Sequence, residues 1–282
     1  RDHMRSQALI TLRFLTVCFG GLACFGNLSA QATEAGVARA ASASEQSDLP
    51  RMLELSTGYQ NLSGGFGEWR DVTLRGTYGL PSHTLQGEVS INRRFNQDGV
   101  FVGLSDTYTF NEDWYGSIAV GFGDGAFYLP RYRVDATLYK KLLPQKNLVA
   151  SVGAGVYKAP DGHTDNSLSL GLVYYFDTPF VAEAGLRLNS SNPGAIKTQQ
   201  QFLALTYGRV KQNLVTLRHA WGQEGYQTVG VTTQLVNFAS KETSISWRHW
   251  FAPRTGLLLG ANSYKNSFYT RDGLSVGIFH DF

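Results

Sequence analysis

The feature that most constrains this chain is a train of short segments in which apolar and polar residues alternate, each set off by a turn. The last segment is the plainest. Leu274, Val276, Ile278, His280 and Phe282 fall on one face, and Ser275, Gly277, Phe279 and Asp281 fall on the other. A period of two marks a β-strand with unlike faces. One such strand also suits a soluble antiparallel sheet, which buries one face and wets the other. Here the pattern recurs from about residue 52 to the end. A long series of such strands, apolar on the lipid side and polar on the lumen side, is what a bacterial outer-membrane barrel requires.

The first strand spans roughly 52–60, with Leu53, Leu55, Thr57 and Tyr59 on one face. In the second, about 69–79, Val72, Leu74, Gly76 and Tyr78 alternate with Asp71, Thr73, Arg75 and Thr77. In the third, Leu85, Gly87, Val89 and Ile91 alternate with Gln86, Glu88, Ser90 and Asn92. Further strands are predicted at about 100–110, 114–123, 130–141, 148–156, 168–176, 180–189, 200–209 and 214–222. Three more follow, one carrying Ile245, Trp247, His249 and Phe251, one at about 256–264, and the terminal one. Asp106 shares a face with Val102, Leu104 and Tyr108, which points to a bulge or a position near the rim.

Short turns at 80–83, 111–113, 142–147, 177–179, 210–213 and 252–255 alternate with generally longer, more polar connections, among them 96–99, 160–166, 190–197 and 264–271. Short periplasmic turns and longer extracellular loops are the expected asymmetry of such a barrel. The sheet must also close, because an open edge in hydrocarbon leaves backbone groups without partners. Gly273–Phe282 would close against the strand beginning near Leu53, and an even count puts both termini in the periplasm. Parity rests on 223–242, where Thr228–Leu235 has the look of one more strand. Counting it gives an odd total, so the segment is assigned to an extracellular excursion, folded over the mouth or extending one hairpin. The reading is an all-β, antiparallel transmembrane barrel of the bacterial outer membrane with 14 strands, and 12 or 16 remain open.

Residues 1–32 read as a cleaved signal peptide. Met4 is the natural start, Arg5 and Arg13 supply the basic region, Phe14–Phe25 is the apolar run, and Ala30-Gln31-Ala32 has the small-x-small cleavage form. That run is too short and glycine-rich for a membrane-spanning helix of about 20 apolar residues. Both cysteines, Cys18 and Cys24, lie in this leader, so disulfides, cysteine metal sites and thiol nucleophiles leave with it. Leu22-Ala23-Cys24 departs from a lipidation signal at Gly21. Residues 33–50, rich in Ala and Ser, form a flexible periplasmic linker, and 51–282 the barrel. Of the formal net charge of +3, the leader carries +2, so no basic block is left to bind nucleic acid.

The polar faces carry Arg75, Glu88, Arg133, Asp135, Glu183, Arg187, Arg218 and Arg248, the candidates for lining the lumen. Arg facing lipid near the midplane would cost about 2–4 kcal/mol. Both signs are present, so two readings stand: structural ion pairs inside a filled barrel, or a lining that guides an anionic or sugar substrate. Aromatic residues gather at strand ends, among them Tyr59, Tyr78, Phe110, Trp114, Phe122, Tyr175, Trp221, Trp247 and Trp250, as interfacial girdles do. Phe127-Tyr128 and Phe268-Tyr269, in outer connections, are the candidates for stacking on carbohydrate. No catalytic residue, cofactor or metal is implied. His83, His163, His219, His249 and His280 are dispersed, and no phosphate, dinucleotide or calcium motif occurs.

Several stretches together resemble one family. They are Leu-Glu-Leu-Ser-Thr-Gly-Tyr at 53–59 with its Gly-rich loop, Tyr-Lys-Lys-Leu-Leu-Pro at 139–144, Thr-Leu-Arg-His at 216–219, and Gly-Leu-Ser-Val-Gly-Ile-Phe-His-Asp-Phe at 273–282. With the leader, they make the chain similar to the YaiO-type outer-membrane β-barrel proteins, over about 51–282. The resemblance implies outer-membrane location and a surface or transport role, and carries no catalytic residues. Related barrels occur behind helical repeats in exopolysaccharide-associated proteins, whereas residues 33–50 here read as a short linker between leader and barrel. Two function classes follow: a channel or accessory in envelope or exopolysaccharide transport, and a non-conducting surface-interaction or structural barrel. A lipid-modifying enzyme is a third and weaker alternative. The expected partners are outer-membrane lipid and lipopolysaccharide, the assembly machinery that reads the terminal Phe282, and polysaccharide or periplasmic export components.

Overall fold

The computed structural model describes residues 49–282, so the leader and nearly all of the linker lie outside the described residues. Alternation produces strands wherever it was read. They are β1 (Arg51–Leu62), β2 (Glu68–Gly79), β3 (His83–Arg94), β4 (Gln97–Thr109), β5 (Trp114–Gly123), β6 (Tyr132–Leu142) and β7 (Leu148–Lys158). The second half continues with β8 (Thr164–Tyr175), β9 (Phe180–Asn192), β10 (Ile196–Arg209), β11 (Asn213–Thr228), β12 (Gln234–Trp250), β13 (Thr255–Asn266) and β14 (Thr270–Asp281). Among the described residues they form one closed antiparallel barrel in which each strand pairs with its neighbour in sequence and β14 returns to β1.

The closing ladder pairs Leu53 with His280, Leu55 with Ile278 and Tyr59 with Leu274, as the terminal strand requires. The apolar parity faces outward throughout: Leu104, Ile118, Leu203 and Leu274 are among the most exposed of the large apolar residues described. A 12-residue strand such as β1 climbs about 30 Å at the usual rise and tilt, enough to cross an apolar band of about 25 Å.

The loops expected at 96–99, 190–197 and 264–271 are corrected, and the alternatives open for 223–242 and Asp106 are decided. The predicted loop at 96–99 is a turn at Phe95-Asn96, both with positive φ, the left-handed pair that a two-residue hairpin turn demands. The predicted loops at 190–197 and 264–271 shrink because β9, β10, β13 and β14 run on past the apolar band. Connections are therefore short at both ends, and length no longer separates an inner from an outer side. Thr228–Leu235 is not a strand of its own: β11 and β12 extend to 16 and 17 residues and turn between Thr228 and Gln234. Both offered roles of 223–242 hold, since the extended hairpin also leans over the mouth. Asp106 marks no bulge. It keeps register between Leu85 and Ile118 and meets the Nδ1 of His83 at 2.8 Å near the rim.

Candidate functional site

Among the described residues the lumen is the interior the fold provides for chemistry, and side chains occupy it in three layers. At the end of the β2–β3, β4–β5 and β12–β13 turns lies an apolar floor. Met52, Val181, Leu214, Trp250, Leu258 and Phe279 form one cluster, and Tyr115, Tyr139 and Val149 form another. Val173 and Tyr175 pack against both, so the floor is continuous across the barrel. Tyr115 and Tyr139 are directly paired across β5 and β6, with rings stacked at 4.5 Å. Four buried threonines, Thr77, Thr84, Thr107 and Thr206, complete the ring on the strands that send no large residue into the floor.

The middle layer is charged. The Nη1 of Arg75 donates to Glu54 at 3.0 Å, and its Nε donates to Glu88 at 3.0 Å. The other oxygen of Glu54 accepts from the Nη2 of Arg248 at 2.7 Å. The Arg248 guanidinium also stands 4.1 Å above the Phe279 ring, tying this layer to the floor. Across the lumen Arg133 pairs with Asp135 at 2.9 Å, Arg187 donates to Ser167 at 2.8 Å, and Arg218 lies over the Phe202 ring. Arg75, Asp135, Glu183 and Arg248 are each under a tenth exposed, the shielding of a globular core. All eight sequence candidates point inward, and every strand keeps its expected face.

The third layer closes the hairpin end. From Glu224 to Val229 every residue of β11 and its turn is buried, so alternation stops where the hairpin leans across the opening. On one side the Nε2 of Gln227 donates to the Tyr269 hydroxyl at 2.5 Å, between β13 and β14. On the other, the Tyr226 hydroxyl donates to the Pro193 carbonyl at 2.7 Å, and its ring stacks on His163 at 5.1 Å. Gln234 and Thr228 both donate to Asp161, which also accepts from the Nδ1 of His163 at 2.6 Å. Burial works against the charge on Asp161, but the donors of His163 and Gln234 outweigh it and hold the carboxyl below its ordinary value. Aromatic contacts continue around the ring: Phe66 and Trp69 meet Phe95, and Phe95 meets Phe127. Phe95 takes its left-handed φ, rare for a bulky residue, in the turn that presents this ring.

Parity sorts the aromatics more finely than the girdle reading did. Tyr59, Tyr78, Phe122, Trp221 and Trp247 do face outward, whereas Tyr175 and Trp250 are part of the floor. Tyr128 and Tyr269 are 3% exposed within the closure, leaving Phe268 exposed and Phe127 half-buried among the proposed stacking pairs. Tyr128 donates to the carbonyls of Asn92 and Gln97. Several functional candidates were missed. Glu54 lies on the inward parity of the first strand, a signal that was present. Glu224, Glu242 and Arg271 fell in stretches read as connections. Arg271 reaches Glu242 at 3.3 Å and lies between the rings of Trp69 and Tyr264. Each of the five histidines among the described residues, His83, His163, His219, His249 and His280, meets a different partner: Asp106, Asp161, Thr243, Asn213 and Thr255 respectively. A cavity of about 40 Å³ rests on the floor beside Tyr115, Ser151, Ser169, Tyr175, Glu183 and Phe202. It has room for water but not for a sugar ring. Phe282 is exposed beyond the closing ladder, its N–H donating to the Arg51 carbonyl at 3.0 Å.

Solved outer-membrane barrels share this architecture. The chain is similar to the CymD monoaromatic hydrocarbon channel, with a TM-score of 0.59 and 9% identity over 89% of this chain and 91% of that one. It is similar to Omp33 of Acinetobacter baumannii, with a TM-score of 0.53 and 11% identity over 83% and 99%. A bacterial polysaccharide outer membrane secretin gives 0.52 and 11% over 83% and 100%. Identities this low establish the fold alone: an outer-membrane β-barrel of porin-like architecture. No curated protein sequence matches. A family model described as the YaiO membrane beta barrel domain matches residues 50–227.

Proposed function

We propose that this chain, which belongs to the YaiO membrane beta barrel family, is a barrel closed at rest that serves the envelope through its hairpin end instead of as a passive diffusion pore. One observation carries the reading: Glu54, Arg75, Asp135, Glu183, Arg248 and Phe279 inside the lumen are shielded from water like a core, between an apolar floor and a hairpin closure. A water-filled channel would leave Arg248, Glu54 and Phe279 wet. A second reading, a gated path or accessory for envelope polysaccharide, draws support from the replaceable polar contacts that Asp161 makes with the closing hairpin.

Single-channel recording in planar bilayers tests both. The full chain is compared with a variant in which residues 225–236 are replaced by an Asn-Gly turn. Absence of steady current from either protein supports the filled barrel. Current from the shortened protein alone favours the gated path, since it would make the hairpin the only barrier. Steady current from the full chain overturns the closed resting state.

A further inference from the structure

On the lipid-facing wall at the hairpin end, one row of outward side chains crosses three adjoining strands. Register places Trp221 of β11 opposite Lys241 of β12, and Lys241 opposite Lys265 of β13. All three are exposed. Like charges set directly opposite in an antiparallel pair repel and destabilise it. The outward Arg70 and Arg93 also stand opposite each other, but each has an acid to relieve the repulsion, Glu68 for Arg70 and Asp98 for Arg93, and the outward His83 meets Asp106. Neither Lys241 nor Lys265 has an ion pair or a side-chain hydrogen bond among the described residues. The outward Asp272 faces Ser263, so it is only diagonal to Lys265.

The level of the row supplies the second half of the argument. Four residues toward the middle of each strand lie Leu217, Ile245 and Ala261, in register with one another and continuous with the strongly exposed Leu274. The row therefore stands just above the apolar band, where a Trp settles among lipid headgroups. An anion held there would turn the Lys–Lys repulsion into attraction to both. We infer that Lys241 and Lys265 together hold the phosphate of a membrane lipid headgroup, with Trp221 packed beside it. The site is independent of whether the lumen conducts.

Unfolding midpoints, read from heat-modifiable gel mobility, test this in dodecyl maltoside micelles with and without phosphatidylglycerol. In maltoside alone, Lys265→Gln should raise the midpoint slightly, because repulsion is removed. Adding phosphatidylglycerol should raise the midpoint of the unaltered protein and of the control Lys197→Gln, but much less that of Lys265→Gln or of the double variant with Lys241→Gln. The sign of the substitution thus reverses with the lipid. An equal rise in all four proteins overturns the site. Inorganic phosphate reproducing the full rise also overturns it, by assigning the pair to a free anion.

Discussion

Glu54 is the residue on which the charged layer turns, and Glu54→Gln is its sharpest test. Its side chain is 2% exposed and serves two arginines, Arg75 at 3.0 Å and Arg248 at 2.7 Å. Breaking a buried ion pair by removing one partner typically costs about 3–5 kcal/mol, because the other charge is left uncompensated. Here two features reduce the cost. Arg75 keeps Glu88, and the Gln carbonyl still accepts a hydrogen bond, though a weaker one. Among the described residues Arg248 has no second carboxylate partner, and it retains the Phe279 and Trp250 rings and the Met52 sulfur. A net loss of about 2–3 kcal/mol follows, roughly two powers of ten in the folding equilibrium. Replacing Arg248 as well, by Met, removes the uncompensated charge and offers an apolar side chain to the floor, so Glu54→Gln with Arg248→Met should recover most of the loss. Reversible urea unfolding in detergent, followed by tryptophan fluorescence, measures the cycle. A cost below about 0.5 kcal/mol for Glu54→Gln, or a double variant equal to the sum of the singles, would refute the argument.

The hairpin closure should loosen in acid. The carboxyl of Asp161 is held below its ordinary value, so its contribution is present above the unfolded-state pKa and is lost as pH falls through the lower folded value. Hydrogen-exchange protection over 225–236 should fall in that window and lose its pH dependence in Asp161→Asn. Gly208→Ala should cost about 2 kcal/mol or more, since φ is +128° and the new Cβ would sit 1.9 Å from the Asn213 carbonyl oxygen. Gly65→Ala, also at positive φ but with open space around it, should cost about 1 kcal/mol, and chemical denaturation compares the two. Val276→Arg, outward in the middle of β14, should cost about 2–4 kcal/mol in lipid vesicles and far less in detergent micelles.

Alternation made the barrel legible because lipid enforces it. Wherever a strand crosses the apolar band, an inward Glu88 and an outward Val89 cannot exchange places without cost. The same rule placed all eight lumenal charges. Legibility ended where lipid ends. Beyond the band, backbone pairing alone keeps a strand going, and it has no preference in side-chain polarity. That is why β9 to β14 outran their predicted ends, and why Glu224 and Arg271 were assigned to connections. The closure is less visible still, because its members, Phe95, Trp69, Tyr226, His163 and Tyr269, come from separate hairpins and share no local pattern. Whether the lumen is filled depended on reach across it: Glu54 and Arg248 pair across 194 residues of sequence.

The unbroken sequential order of strands has a consequence for how the barrel comes into being. Thirteen of its 14 ladders join neighbours that a short turn already holds together, so each can zip as a hairpin at little loop-closure cost. The ladder from Met52–Asp281 to Leu62–Arg271 alone waits for both ends of the chain. Its formation is the event that turns a curved ribbon with two sticky edges into a finished wall. Weakening that seam should slow assembly and speed opening together, whereas equal damage to an interior ladder is repaired by the strands on either side.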